Sequence, residues 1–137
     1  MISYQVLALL PPHVNASFCE VAASLELKFR PLSPRWQIPD IVIGTDHIKL
    51  AWSNWSLRLF FAVAPHVLIE SKEIAAAKAT HRADRDIIAS CDRRIEITSD
   101  PDPKMDHFND YIFVLEVLER IPGVVLFDPY ARTFMLE

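Results

Sequence analysis

Glycine is scarce in this chain, and its scarcity excludes several nucleotide-binding folds. Gly44 and Gly123 are the only glycines among 137 residues. Phosphate-binding loops and dinucleotide folds need several glycines close together, because their backbone N–H groups must approach the anion. Two glycines so far apart therefore exclude both kinds of site.

Cysteine is equally scarce, and long apolar runs are missing. Cys19 and Cys91 each fall in an apolar helical pattern, which favours two buried free thiols in a reducing cytoplasm over a disulfide. No apolar run approaches the ~18–20 residues needed to span a membrane, and the amino terminus has no signal-peptide pattern. We therefore expect a soluble, cytoplasmic protein that does not enter a membrane.

Positive charge is in deficit. The formal net charge of −4 repels phosphate backbones, so we expect no nucleic-acid partner. One local basic group is interleaved with acidic residues, which is typical of a mixed, solvated surface. Its members are Arg82, Arg85, Arg93 and Arg94, and the acidic residues among them are Asp84, Asp86 and Asp92.

The histidines are isolated from one another along the sequence. None of the five stands three or four residues from another histidine or from a cysteine, which is the spacing of a local metal site. His66 and Glu70 have helical spacing, typical of a surface pair rather than an acid–base couple. We therefore expect neither a metal nor a cofactor.

Hydrophobic periodicity predicts groups of strands and helices. Residues 2–10 are apolar on both faces, as in a central strand, and strict alternation over 55–63 places Leu57, Leu59 and Phe61 in the main sheet. Asp102 as cap and Pro103 as first residue begin a helix that runs to about residue 121. The other predicted elements are helix 16–27, strands 41–43 and 48–52, strand 93–98, and a closing hairpin of 124–127 and 133–136. Pro65 and the alanine-rich run 67–79 begin a helical region that either continues to Cys91 or breaks near Thr80 and His81 on the way.

The order of these elements predicts an α+β fold in one domain, residues 1–137. Strands joined mostly by turns favour a two-layer sandwich, a mainly antiparallel sheet covered by helices on one face. A ferredoxin-like core with extra strands is one such arrangement. A parallel α/β sheet is the weaker alternative.

The most polar stretch is residues 99–110, at the start of the last long helix. Its spacing lacks the turn glycine and distal glutamate of an EF-hand loop, although its aspartates are possible ligands for a hard cation. Aspartates are favoured at helix amino termini, so capping and solvation are the ordinary interpretation. The alternative is an exposed acidic patch that binds a partner through Asp100, Asp106, His107 and Asp110.

Three tryptophans offer a second candidate site. Trp36, Trp52 and Trp55 would line the aromatic cleft of a small-molecule-binding domain. Trp52 and Trp55 stand beside leucines in apolar strand patterns, which makes core packing the default interpretation.

The closing segment supports a resemblance to known proteins. The run Pro122-Gly123-Val124-Val125-Leu126-Phe127-Asp128-Pro129-Tyr130-Ala131-Arg132-Thr133-Phe134 resembles the helix-then-hairpin ending of many small bacterial proteins, among them immunity proteins of polymorphic toxin systems. It covers about a tenth of the chain and carries no functional residues across. The resemblance implies a small, acidic, intracellular binding protein.

Three functions stay open at this point. The leading hypothesis is a non-enzymatic interaction protein, such as an immunity protein that neutralises a basic toxin, because the net charge is negative and no catalytic signature is present. The second is a small-molecule-binding domain that uses the tryptophan cleft. The third is an enzyme whose catalytic residues are scattered along the sequence. The oligomeric state is open as well.

Overall fold

The computed structural model describes residues 3–135 and is built on an antiparallel sheet. Within that range seven strands form the sheet: β1 Gln5–Leu10, β2 Asp40–Ile43, β3 His47–Ala51, β4 Ser56–Ala62, β5 Arg93–Ser99, β6 Val125–Asp128 and β7 Thr133–Phe134. The α-helices are α1 Phe18–Phe29, α2 Pro65–Lys78, α3 Arg85–Ala89 and α4 Phe108–Glu119. A 3₁₀ turn, Arg30–Leu32, follows α1.

The strand order places a ferredoxin-like core inside a wider sheet. The order is β2-β3-β4-β5-β1-β6-β7, and each neighbouring pair is antiparallel. Strands β1 and β4 therefore run in one direction, with β5 between them, while β5 and β6 run in the other, with β1 between them. With α1 and α4 on one face, this is the split βαβ arrangement of a ferredoxin-like core. The predicted α+β class and antiparallel sheet are confirmed.

The main core lies between the sheet and the pair α1–α4. Leu57 and Leu59 on β4 are completely buried there, as the strict alternation predicts, and Phe61 packs against the same cluster. Helix α1 contributes one apolar stripe to this core, from Val21 to Phe29, because its buried residues recur at helical spacing.

A smaller helical layer covers part of the opposite face. Leu9 on β1 and Phe127 on β6 point away from the main core and pack against Ile74 of α2 and Ile88 of α3. Strand β1 is apolar on both faces because both are covered. This second layer adds to the predicted one-sided sandwich, and it arises because the helical region 67–91 divides into two helices that fold back over the sheet.

Two local expectations are wrong. Helix α4 begins at Phe108, not at Pro103, because the carboxylate of Asp102 accepts from the N–H of His107 and holds the intervening residues in turns. Cys19 is exposed, because it lies outside the apolar stripe of α1, whereas Cys91 is buried. Burial raises the pKa of the Cys91 thiol to about 12, so this thiol is unreactive at neutral pH.

No helix in the described range is both long and apolar enough to cross a membrane.

The buried centre of β4 supplies a test of the core. Leu59→Ala should lower the free energy of unfolding by about 2–5 kcal/mol, because Leu59 is 0% exposed and its removal leaves a cavity. Urea unfolding measures this loss. Val63→Ala is the control, since Val63 is 72% exposed and should stay within about 0.5 kcal/mol of the wild type. Equal effects of the two substitutions would contradict the assignment of the core face.

Candidate functional site

Residues 102–107 form an ordered loop, here named the Asp102 loop, in front of α4. The Asp102 side chain is buried, and its Oδ2 accepts a 2.6 Å hydrogen bond from the Tyr4 hydroxyl and a 3.0 Å bond from the His107 N–H. The Met105 N–H donates to the Asp102 carbonyl over 3.0 Å. Met105 has φ +57°, a left-handed conformation that disfavours a residue with a side chain.

Aromatic rings form the support beneath this loop. Tyr4 stacks on Tyr111 with ring centres 4.4 Å apart, and it meets Trp55 edge to face at 6.1 Å. Burial and the hydrogen bond to Asp102 both raise the pKa of the Tyr4 hydroxyl, so it stays a donor at any physiological pH. The loop is therefore fixed to a rigid base.

His107 brings the two predicted sites together. Its ring stacks on Trp55 with centres 4.4 Å apart and planes within 2° of parallel. His107 Nδ1 lies 3.0 Å from Oδ2 of Asp110. The other oxygen of Asp110, Oδ1, accepts a 2.9 Å bond from Nε1 of Trp36. The acidic residues and the tryptophans thus belong to one network.

Asp100 is held by donors from β4. Its carboxylate accepts from the Ser56 N–H at 3.0 Å, the Ser56 hydroxyl at 2.9 Å and the Arg58 guanidinium at 3.1 Å. Partial burial alone would raise the pKa of Asp100, but these hydrogen bonds and the Arg58 charge outweigh it and lower that pKa. Asp100 is therefore a paired, structural carboxylate.

The expected exposure of the acidic patch is wrong in part. Asp110 is only 4% exposed, because α4 turns it toward the donors Trp36 and His107. Asp100 is half-buried and paired with Arg58. Of the predicted partner-binding residues, Asp106 is the exposed one. A charged surface of several aspartates is not formed.

The tryptophans do not line an open cleft. Trp52 and Trp55 are 6% and 5% exposed and contact each other at 5.3 Å within the main core. Trp36 is 38% exposed and lies against Phe113 at the edge of that core. The default interpretation of core packing therefore describes Trp52 and Trp55 well.

The chemistry available to His107 is limited. An ionised carboxylate only accepts, so in its contact with Asp110 the imidazole donates from Nδ1. A general base needs a hydroxyl, thiol or bound substrate within hydrogen-bond distance. No side-chain hydroxyl or thiol of residues 3–135 hydrogen-bonds to His107. Nor do the described residues contain a group of three or more potential metal ligands.

Around the start of α4, we give the name α4-start surface to four of the exposed side chains: Trp36, Met105, Asp106 and Phe108. Three of them are large and apolar. Lys104 and Asn109 are exposed in the same segment. Sequence reasoning missed Met105 and Phe108, because both fit the apolar stripe of a helix that was expected to begin at Pro103, whereas Met105 precedes α4 and Phe108 is its first residue. It also missed Tyr4, whose partner Asp102 lies 98 residues away.

Comparisons with known proteins return no match: no protein-family model, curated protein sequence or solved structure is significantly similar to this chain. The site is therefore interpreted from its own geometry.

The Tyr4–Asp102 bond supplies a second test. Tyr4→Phe should lower the free energy of unfolding by about 1–3 kcal/mol, because the buried carboxylate loses a donor while the ring packing is kept. Tyr130→Phe is the matched control, since Tyr130 is 91% exposed and should change stability by less than about 0.5 kcal/mol. Indistinguishable unfolding curves for the two variants would contradict the conclusion that the Tyr4–Asp102 bond stabilises the loop.

The lowered pKa of Asp100 predicts a pH-dependent stability. Because the folded-state pKa lies below the unfolded one, the ionised carboxylate stabilises the fold fully above about pH 4, and this contribution is lost as pH falls through the folded-state pKa. Asp100→Asn should therefore destabilise the protein at pH 7 and lose that difference in acid. Chemical unfolding of both proteins across the acid range measures it. A pH-independent difference would contradict the role of the charge.

Proposed function

We propose that this protein is a non-enzymatic protein-interaction domain that binds its partner through the α4-start surface. The observation that carries the proposal is the backbone of Met105, held at φ +57° with its side chain exposed. A left-handed conformation costs a residue with a side chain roughly 1–2 kcal/mol. Strain of this kind clusters where a loop must present its residues in a fixed form.

The bonds of Asp102 offset that strain and fix the loop before any partner arrives. The Tyr4 hydroxyl and the His107 N–H both bond its buried carboxylate. A preformed loop loses little conformational entropy on binding, which favours affinity.

The exposed side chains indicate the chemistry of the partner. Trp36, Met105 and Phe108 are of the large apolar types that are enriched at protein interfaces. Asp106 and the exposed Lys104 supply charges of opposite sign beside them, and the net charge of −4 supports association with a basic protein. Neutralisation of a basic toxin, as by an immunity protein, is the specific activity that we propose within this class.

Charge reversal at the proposed surface tests this function. The wild-type protein, Asp106→Lys and a control, Glu73→Lys, are immobilised and exposed to lysate of the native host. Glu73 is also an exposed acidic residue, but it lies on α2. We expect a basic protein to be retained by the wild type and by Glu73→Lys and lost from Asp106→Lys, because only Asp106 lies in the interface.

A second variant separates binding from folding. Met105→Gly relieves the left-handed strain and removes the side chain, so it should leave the unfolding midpoint unchanged or raised while weakening retention of the same protein. Retention that is insensitive to both Asp106→Lys and Met105→Gly would contradict the proposed surface.

A further inference from the structure

We propose that strand β2 pairs with β2 of a second copy of this chain, so that two sheets join antiparallel into one continuous sheet with Val42 on the twofold axis. The proposed pairing uses no residue of the α4-start surface. The two edges of the sheet are unequal.

The two edge strands differ in length and composition. Strand β7 has two residues, and an edge so short offers little to a pairing strand. Strand β2 has four, Asp40–Ile43, of which Val42 and Ile43 are 55% and 53% exposed. A branched aliphatic edge with free backbone groups is a template for strand addition.

Hydrogen bonding within the β2–β3 hairpin shows which groups are free. The Gly44 N–H donates to the His47 carbonyl at 2.8 Å, and Val42 lies opposite Lys49. Bonded pairs recur at every second residue, so Asp40, Val42 and Gly44 direct their N–H and C=O groups toward β3. Ile41 and Ile43 direct theirs to the outside, where no described residue bonds them.

One self-pairing uses all of these outward groups. With Val42 opposite Val42 of the second copy, Ile41 of each chain lies opposite Ile43 of the other. Both outward N–H groups and both outward C=O groups of each chain are then bonded. The two Val42 side chains meet on the same face as a non-hydrogen-bonded pair, the arrangement with the closest side chains.

This register brings apolar side chains together on the helical face. Ile43 of the second copy lies opposite Ile41, beside an open pocket of about 400 Å³ that Phe29, Ile38 and Ile41 line together with Glu26, Arg30 and Asp40. On the other face, Asp40 lies opposite Gly44 of the second copy. The His47 ring sits over Gly44, since a Cβ there would be 2.5 Å from His47 Cε1. His47 Nδ1 lies 3.0 Å from Asp46 Oδ1, so Asp40 of one copy lies beside the Asp46–His47 pair of the other.

Sedimentation velocity over a range of roughly 10 µM to 1 mM tests the pairing, because interfaces of a few residues associate weakly. The wild type should dimerise across this range. Val42→Lys and Val42→Glu should each raise the dissociation constant at least about tenfold, because like charges then face each other on the axis. An equal mixture of the two variants should associate again, since Lys then faces Glu. Ile69→Lys, an exposed change on α2, is the control and should dimerise like the wild type.

Three results would overturn the proposal: a wild type that stays monomeric throughout, Val42 variants that associate normally, or a mixture that fails to recover. A monomeric wild type would leave the edge to another partner's strand. If a charged variant does not fold, Val42→Cys in a Cys19→Ser background decides the question. Opposed non-bonded positions lie within disulfide reach, so oxidation should yield a covalent dimer. Ile69→Cys should not, and absence of the Val42→Cys dimer would refute the register.

Discussion

The buried carboxylate of Asp102 is the group on which the candidate site depends. A carboxylate at 3% exposure is tolerated only when donors replace the water that it has lost. One donor, the Tyr4 hydroxyl, comes from the residue before β1, and the other is the N–H of His107 just before α4. These two bonds set where α4 begins, and they hold Met105 in its left-handed conformation. The surface around α4 follows from that constraint.

The indole N–H groups of the three tryptophans also have hydrogen-bond partners. Each indole N–H has an oxygen acceptor: Trp36 donates to Asp110, Trp52 to the Gln37 carbonyl and Trp55 to the Asp100 carbonyl. The tryptophans are able to sit in or beside the core because these acceptors are at hand. The bond from Trp36 helps to hold Asp110 in its buried position. A segment with four aspartates therefore exposes one of them, Asp106, beside Lys104 and the apolar side chains of Met105 and Phe108.

How far the sequence predicts the structure depends on the range of the interactions. Strands β4 and β1 can be predicted from the sequence. In β4 every second residue is apolar and lies on the core face, and β1 contains a continuous apolar run. The start of α4 cannot be predicted in this way, since Asp102 and Pro103 satisfy the local rules for a helix that begins five residues early. Asp102 instead accepts hydrogen bonds from the His107 N–H and from the hydroxyl of Tyr4, which is 98 residues away in the sequence. Local sequence patterns cannot predict the bond to Tyr4. The site residues share this limit: the aspartates and tryptophans stand out by type, while the network that joins them is tertiary.

Met105 and strand β2 depart from what stability alone would favour. Glycine would suit the backbone of Met105 better, and a charged or shorter strand would protect the β2 edge better, as the two residues of β7 protect the other edge. Arg132, in the turn between β6 and β7, has a left-handed backbone as well, at φ +59°. In natural proteins, departures from local structural preference are expected mainly at functional sites. The left-handed methionine and the open aliphatic edge are therefore the two places on which the proposed interactions with other molecules depend.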